Sequence, residues 1–462
     1  MAVFRIAAVI KKPSGEDFLV VRQSPPPPQP EEEYQKFVDS DLWDLPSAPL
    51  NPLEGKFRTE PLIEGADALS DKLDLRRFDV YSALNQVLLQ AGLVNPIMGS
   101  WQLLKYVEEA DFGPEPRVDT IFILGRLESE EEILQESCKW LSMESTLKLL
   151  LEVKASVDRV GPFVAIGLLP DSAETSRLRT TSTLHCQEYP PGIMLVPMKS
   201  RTREPFHTTN LVVMVPSNVT DKSEHSSFIT YGDALLMDPG CCSQLHVEVF
   251  QLSRNAILML LCWCMKIPWA ALVKGHTDGH LALLHVSTNA LVVGDHCVGQ
   301  GSAVLDVSSG GNMKDYFQTT YRFLDLSPHV LVPMHGRINL WPKQMLCGYL
   351  KHRRDRELSI LRAIESGAET LFDIIAKSYP GLDIKLWLLA SSNVRLHVDH
   401  LAHQQKLPKD FSMKKFQATC GVHFTSRWIW TCLKRTNAFK VLAIIGVGGL
   451  AIAFGRKWKF GG

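Results

Sequence analysis

The 462-residue sequence predicts an α+β fold class, and three observations carry that prediction. In the N-terminal part, short apolar runs rich in β-branched residues alternate with one helical stretch. In the middle, brief apolar runs each deliver an Asp or a His at their end. Beyond residue 346 the apolar positions recur at helical spacing. At 45% hydrophobic residues and a formal charge of −1, a chain of this length can bury more than one core, so two or three domains are expected.

Residues 1–195 form the first expected domain, with strand-like runs at Phe4 to Ile10, Phe18 to Val21, Thr120 to Leu124 and Val164 to Leu169 and a helix from Tyr81 to Leu93. The first ten residues read as a strand and not as a positively charged signal. Pro25 to Pro28 must be extended, because proline fixes φ and has no amide hydrogen. The ten cysteines are scattered, which points to a reduced intracellular protein, and Cys262-x-Cys264 reads as a pair of core thiols.

Residues 205–345 form the second. Leu211 to Val215 and Ser226 to Met237 read as strands, the latter bent at Gly232-Asp233 and ending on Asp238-Pro239-Gly240. Three further strings follow: Gly275-His276-Thr277-Asp278-Gly279-His280, Val292-Val293-Gly294-Asp295-His296 and Val332-Pro333-Met334-His335-Gly336. Imidazole nitrogen and carboxylate oxygen at strand ends suit the borderline character of zinc.

Residues 346–412 read as helices at Leu350 to Ile364, Thr370 to Ser378 and Val394 to Gln405, with Arg353, Arg354 and Arg356 opposite the apolar stripe Leu358, Leu361 and Ile364. From Lys351 onward there are 19 Lys and Arg against 8 Asp and Glu, which leaves the rest of the chain near −12. A basic C-terminal part on an acidic body favours an anionic partner, nucleic acid or a membrane surface. Residues 437–456 are nearly all apolar between basic flanks, and the reading is a transmembrane tail anchor facing the cytosol, in a mitochondrial or plastid outer envelope or a peroxisome.

The order strand-Asp, Gly-His-Thr, Gly-Asp and Pro-Met-His-Gly resembles the metallo-β-lactamase fold superfamily. Its wording is closest to the β-lactamase-like endoribonuclease group, mitochondrial and plant-type. The resemblance implies a two-sheet sandwich flanked by helices, two zinc ions at one edge, a hydrolase acting on single-stranded RNA, and a winged-helix-like appendage over 346–412. Carried onto this sequence, it makes His276, Asp295 and His335 metal ligands, with Asp295 the bridge, and Asp238 a catalytic residue orienting the ligands. His280 and His296 read as supporting or surface histidines, and Arg353, Arg354 and Arg356 contact nucleic acid. The superfamily's His-x-His-x-Asp-His run is absent, and only 37 residues separate Asp238 from His276, which points to an internal deletion. The implied outcome is an impaired or inactive enzyme; the alternative is a non-catalytic, membrane-anchored scaffold or RNA-binding protein.

Residues 1–195 resemble a Nudix domain through the paired strands, Leu42-Trp43-Asp44-Leu45-Pro46 and the helix ending Leu89-Gln90-Ala91-Gly92-Leu93. Asn85, Gln86, Leu89 and Gln90 replace the Arg and Glu of the Nudix box, and neutral groups do not hold Mg²⁺, so this domain is expected to lack hydrolase activity.

Overall fold

A computed structural model of the chain describes residues 2–27, 35–53, 62–93, 100–128, 136–151, 158–168, 186–200, 206–214, 235–237, 269–272, 274–278, 280–299 and 303–435. It contains two compact units. The first holds Met1–Leu272, Leu281–Gly301 and Phe323–Cys347; the second holds Val273–His280, Ser302–Arg322 and Gly348–Gly462.

In the first unit, β1 (Val3–Lys11) runs parallel to β7 (Val118–Arg126) from Val3 beside Val118 to Lys11 beside Arg126. Strands covered on both faces read as unbroken apolar runs, as Ile6 to Ile10 does. Ile6, Ala8 and Ile10 enter one core and Ala7 and Val9 another. The sheet is nine-stranded, in the order β5 (Ile63–Glu64), β6 (Trp101–Val107), β7, β1, β2 (Phe18–Gln23), β3 (Leu42–Asp44), β9 (Arg159–Val160). Off that path, β4 (Ser47–Leu50) pairs with β1 and β8 (Cys138–Leu141) with β2.

Helix α1 (Val80–Gln90) starts where Asp79 accepts a hydrogen bond from the Ser82 amide at 3.2 Å. Its buried residues Val80, Ala83, Leu84 and Val87 follow the i, i+3, i+4, i+7 pattern and share a core with Ile6, Ala8 and Ile10. The helix expected from Tyr81 is therefore present.

Val164 to Leu168, the described part of that apolar run, is not the strand expected. Pro162 to Leu168 is helix α3, following α2 (Met143–Leu151). A six-residue apolar run does not distinguish a strand from a buried helix by period alone. Here Pro162 opens the helix, and the Asp44 carboxylate accepts from the Val164 amide at 2.9 Å in its first turn.

Among the described residues the unit also holds two four-stranded sheets. One is antiparallel: β10 (Gln187–Glu188), β11 (Ile193–Lys199), β12 (Thr208–Met214) and β13 (Leu235–Met237). The other is β14 (Trp269–Leu272), β15 (Leu281–His285), β16 (Ala290–Gly294) and β17 (Val330–Pro333), with β16 and β17 parallel. Val212, Val292 and Val332 from these sheets join Ala7, Val9 and Phe122 in one continuous core.

The described part of the second unit is helical. It includes the body of α5 (Pro342–Glu365), then α6 (Leu371–Ser378), α7 (Trp387–His403), α8 (Met413–Thr419) and α9 (Val422–Arg435), while α4 (Met313–Leu326) contributes its first turns. Ile374, Val394, Val398, Phe416 and Phe424 form its core, so the helices continue past residue 412 to Arg435.

The expectation of a transmembrane tail anchor and its organelle-membrane location is corrected: among the described residues no helix is long and apolar enough to cross a membrane. The longest, α5, carries five Lys and Arg between Lys343 and Arg356, which is incompatible with a hydrocarbon core. The apolar stretch 437–456, the hairpin bend at Gly232-Asp233, Asp238 and Cys262-x-Cys264 lie outside the described residues.

Candidate functional site

Because β16 and β17 run in parallel register, Leu291 beside Leu331 and Val292 beside Val332, both strands end at the same edge of the sheet. Asp295 follows β16 directly and His335 lies two residues beyond β17. Their side chains meet, with Asp295 Oδ1 3.3 Å from His335 Nε2.

His335 is only 7% exposed, and its Nδ1 stands 2.8 Å from the Thr208 carbonyl. A carbonyl oxygen only accepts, so Nδ1 carries a proton and Nε2 is the nitrogen turned on Asp295. Nε2 is then either the second N–H of an imidazolium or a lone pair facing a carboxylate oxygen. The second arrangement is how two ligands of one cation converge.

The surrounding backbone fixes this pair. Asn210, wholly buried on β12, donates from Nδ2 to the carbonyls of Pro333 at 3.0 Å and Gly336 at 2.8 Å, and its amide donates to Met334 at 2.7 Å. The Gly299 amide donates to the His335 carbonyl at 2.9 Å. A Cβ on Gly299 would lie 2.8 Å from that oxygen and 3.1 Å from the Gly336 Cα, so the two loops approach as closely as they do because both residues are glycine. Asn210, Thr208 and Gly299 were not singled out in the sequence. A lone Asn within the apolar strand Leu211 to Met214 begins was the available signal, since a buried amide must be hydrogen-bonded.

His276 belongs to the second unit, where its ring centroid lies 5.3 Å from that of His280. The loop is held by Gly275, whose φ of 117° and close approach to the Tyr316 backbone exclude a side chain, and by the Thr319 hydroxyl, which donates to the Lys274 carbonyl at 2.8 Å. His296 is wholly buried, its ring edge-on to Phe323 at 5.0 Å, which suits a packing role.

Among the three arginines, Arg353 is 3% exposed, bonded to Asn393 Oδ1 at 3.1 Å and to the Ala303 carbonyl, and stacked over Tyr316. Its charge is used inside the helical unit. Arg356 bonds the Ser378 carbonyl at 3.1 Å and lies 3.9 Å above the Tyr379 ring centre. Arg354 is exposed and donates to the Tyr321 hydroxyl.

Zinc takes about four ligands. The described residues of this edge supply the pair Asp295 and His335, and among the described residues no group of three or more His, Cys, Asp or Glu side chains is placed to hold a metal ion. That set does not fit the two-zinc centre the motifs imply.

No family model matches the chain. It is 29% identical over 136 residues to the beta-lactamase-like protein 2 homolog of Drosophila melanogaster, a match covering 29% of this chain and 44% of that protein. The Caenorhabditis elegans homolog of the same name is 28% identical over 123 residues, 26% of this chain and 40% of that protein. The chain thus spans less than half the length of the curated relatives it matches. A beta-lactamase domain protein from Burkholderia ambifaria aligns with 12% identity and a TM-score of 0.35 over 50% of this chain and 92% of that one. The chain is homologous, over part of its length, to metallo-β-lactamase-fold proteins.

Proposed function

We propose that this chain descends from a metal-dependent hydrolase of the endoribonuclease-like branch of that superfamily and is catalytically impaired in its present form. The reading rests on one observation: the Asp295–His335 pair is kept in tight geometry at a strand edge, while the His-x-His-x-Asp-His run that would complete the ligand set is missing. Asp238 and His276 belong to the proposal by motif alone. In the same reading, residues 1–195 are a Nudix-like scaffold, 205–345 the hydrolase-like domain and 346–412 a winged-helix-like appendage.

The test is metal content after dialysis against a weak chelator, with cleavage of single-stranded RNA measured in parallel. Expected are less than one zinc per chain and no metal-dependent cleavage. Two tightly held zinc ions, with cleavage abolished by His335→Ala, would overturn the proposal.

A second reading, RNA binding without catalysis, is favoured by the charge excess beyond Lys351 and by exposed Arg354. Here single-stranded RNA should bind equally with and without EDTA, and affinity should fall steeply with salt. Binding that needs a divalent metal would count against it.

A further inference from the structure

On β1, Arg5 shares a face with Ala7 and Val9, and it lines a cavity of about 250 Å³ within the first unit. The apolar part of the wall is built by Val107, Phe122, Phe163, Ile166 and Leu340. The Arg5 guanidinium lies 5.6 Å from the centre of the Phe163 ring, and among the described residues it makes no hydrogen bond or ion pair. Burial works against its charge, and the acids that offset this act from a distance. Asp44 is itself pushed up to about 7 by burial. Glu109 is committed to Arg337, which grips both its carboxylate oxygens at 2.6 and 2.7 Å.

The two cations of the wall differ in what they have left to give. Arg337 has four of its five N–H donors committed, since it also bonds Glu115 and the Pro116 carbonyl, each at 2.7 Å. Among the described residues Arg5 retains its donors beside open volume, and a half-buried guanidinium without hydrogen bonds is a place for an anion. A volume of this size accommodates an occupant of about ten non-hydrogen atoms. Glu108 and Glu188 also line the cavity, so a phosphate dianion or a polyphosphate would meet repulsion with only one spare cation to offset it.

We propose that this cavity binds a small organic monocarboxylate, its carboxylate on Arg5 and its aliphatic or aromatic body against Phe122, Phe163 and Ile166. The inference is independent of the metal-site reading, because it uses none of those residues.

Octanoate, with ten non-hydrogen atoms, is the probe, titrated calorimetrically into the full-length chain beside the neutral isostere 1-octanol. Expected is one saturable site for octanoate, with octanol at least about tenfold weaker, as loss of a charge-assisted hydrogen bond dictates. Arg5→Gln should weaken octanoate by a similar factor, and Ile166→Trp, which fills the volume from α3, should abolish binding. Absence of saturable octanoate binding up to about 1 mM would overturn the proposal. So would equal affinity for octanol, or unchanged octanoate affinity in Arg5→Gln. If Arg5→Gln does not fold, the octanoate-to-octanol ratio in the natural chain and the Ile166→Trp variant decide.

Discussion

Asp44→Asn should flatten the dependence of stability on pH between about 4 and 7. Asp44 is 1% exposed at the end of β3, where burial pushes its carboxyl from 3.8 up to about 7. The amides of Val164 and Leu45, each at 2.9 Å, and the nearby Arg5 pull the other way and lose. An acid whose folded pKa is raised contributes stability that is complete below its unfolded value, near 4, and lost as pH rises through about 7. The displacement is about three units, so the contribution is on the order of 4 kcal/mol, declining by at most ~1.4 kcal/mol per pH unit. Asparagine keeps an oxygen to accept both amides and does not titrate. Urea unfolding followed by tryptophan fluorescence at pH 5, 6, 7 and 8 measures the difference between the two chains, with the neighbouring, mostly buried Trp43 reporting locally. Asp44→Asn should gain on the natural chain from pH 5 to about 7 and level off toward pH 8. Parallel curves for the two chains would show that Asp44 is ionised within the fold throughout, refuting the burial argument.

Gly161→Ala should destabilise the first unit by roughly 1–3 kcal/mol, because its Cβ would overlap the Asp44 carboxylate; the urea midpoint measures it, and a neutral effect would show that α3 can shift freely. Gly299→Ala should push the His335 loop away from Asp295, and loss of order at His335 in an imidazole NMR spectrum, with Gly348→Ala unchanged where a Cβ meets nothing, is the expected contrast. In the helical unit, burial raises Glu357, but the neighbouring His397 and a hydrogen bond from His400 outweigh it and hold the carboxyl at about 2. His400 Nδ1 is 2.6 Å away and His397 Nδ1 3.6 Å, so His400 is the stronger partner. That stability is present above pH 4.5 and lost as pH falls through about 2. Glu357→Gln should therefore cost roughly 1.5–3 kcal/mol at pH 7 and less near pH 2, as read from helical ellipticity during unfolding.

What was legible in the sequence was whatever depends on local period or on a short string. The run Phe4 to Ile10 gave away β1, and Asp295 and His335 could be paired on paper because each closes an apolar strand. What stayed hidden depends on partners far along the chain. Val164 to Leu169 contains no period that separates helix from strand; the decision lies with Asp44, 120 residues earlier, whose carboxylate caps α3. Arg353, Arg354 and Arg356 look equivalent as a basic cluster. Yet Arg353 is buried by Ala303 and Asn393, fifty residues before it and forty after, while Arg354 next to it is exposed. The cavity at Arg5 follows the same logic, since its wall joins β1 to residues 107, 163 and 340. Its chemistry comes from a cation whose natural partners are occupied elsewhere, and such a deficit of partners exists only once the chain has folded. Motif reading therefore favours sites inherited as strings, as at Asp295 and His335, and overlooks sites assembled by burial, as at Arg5.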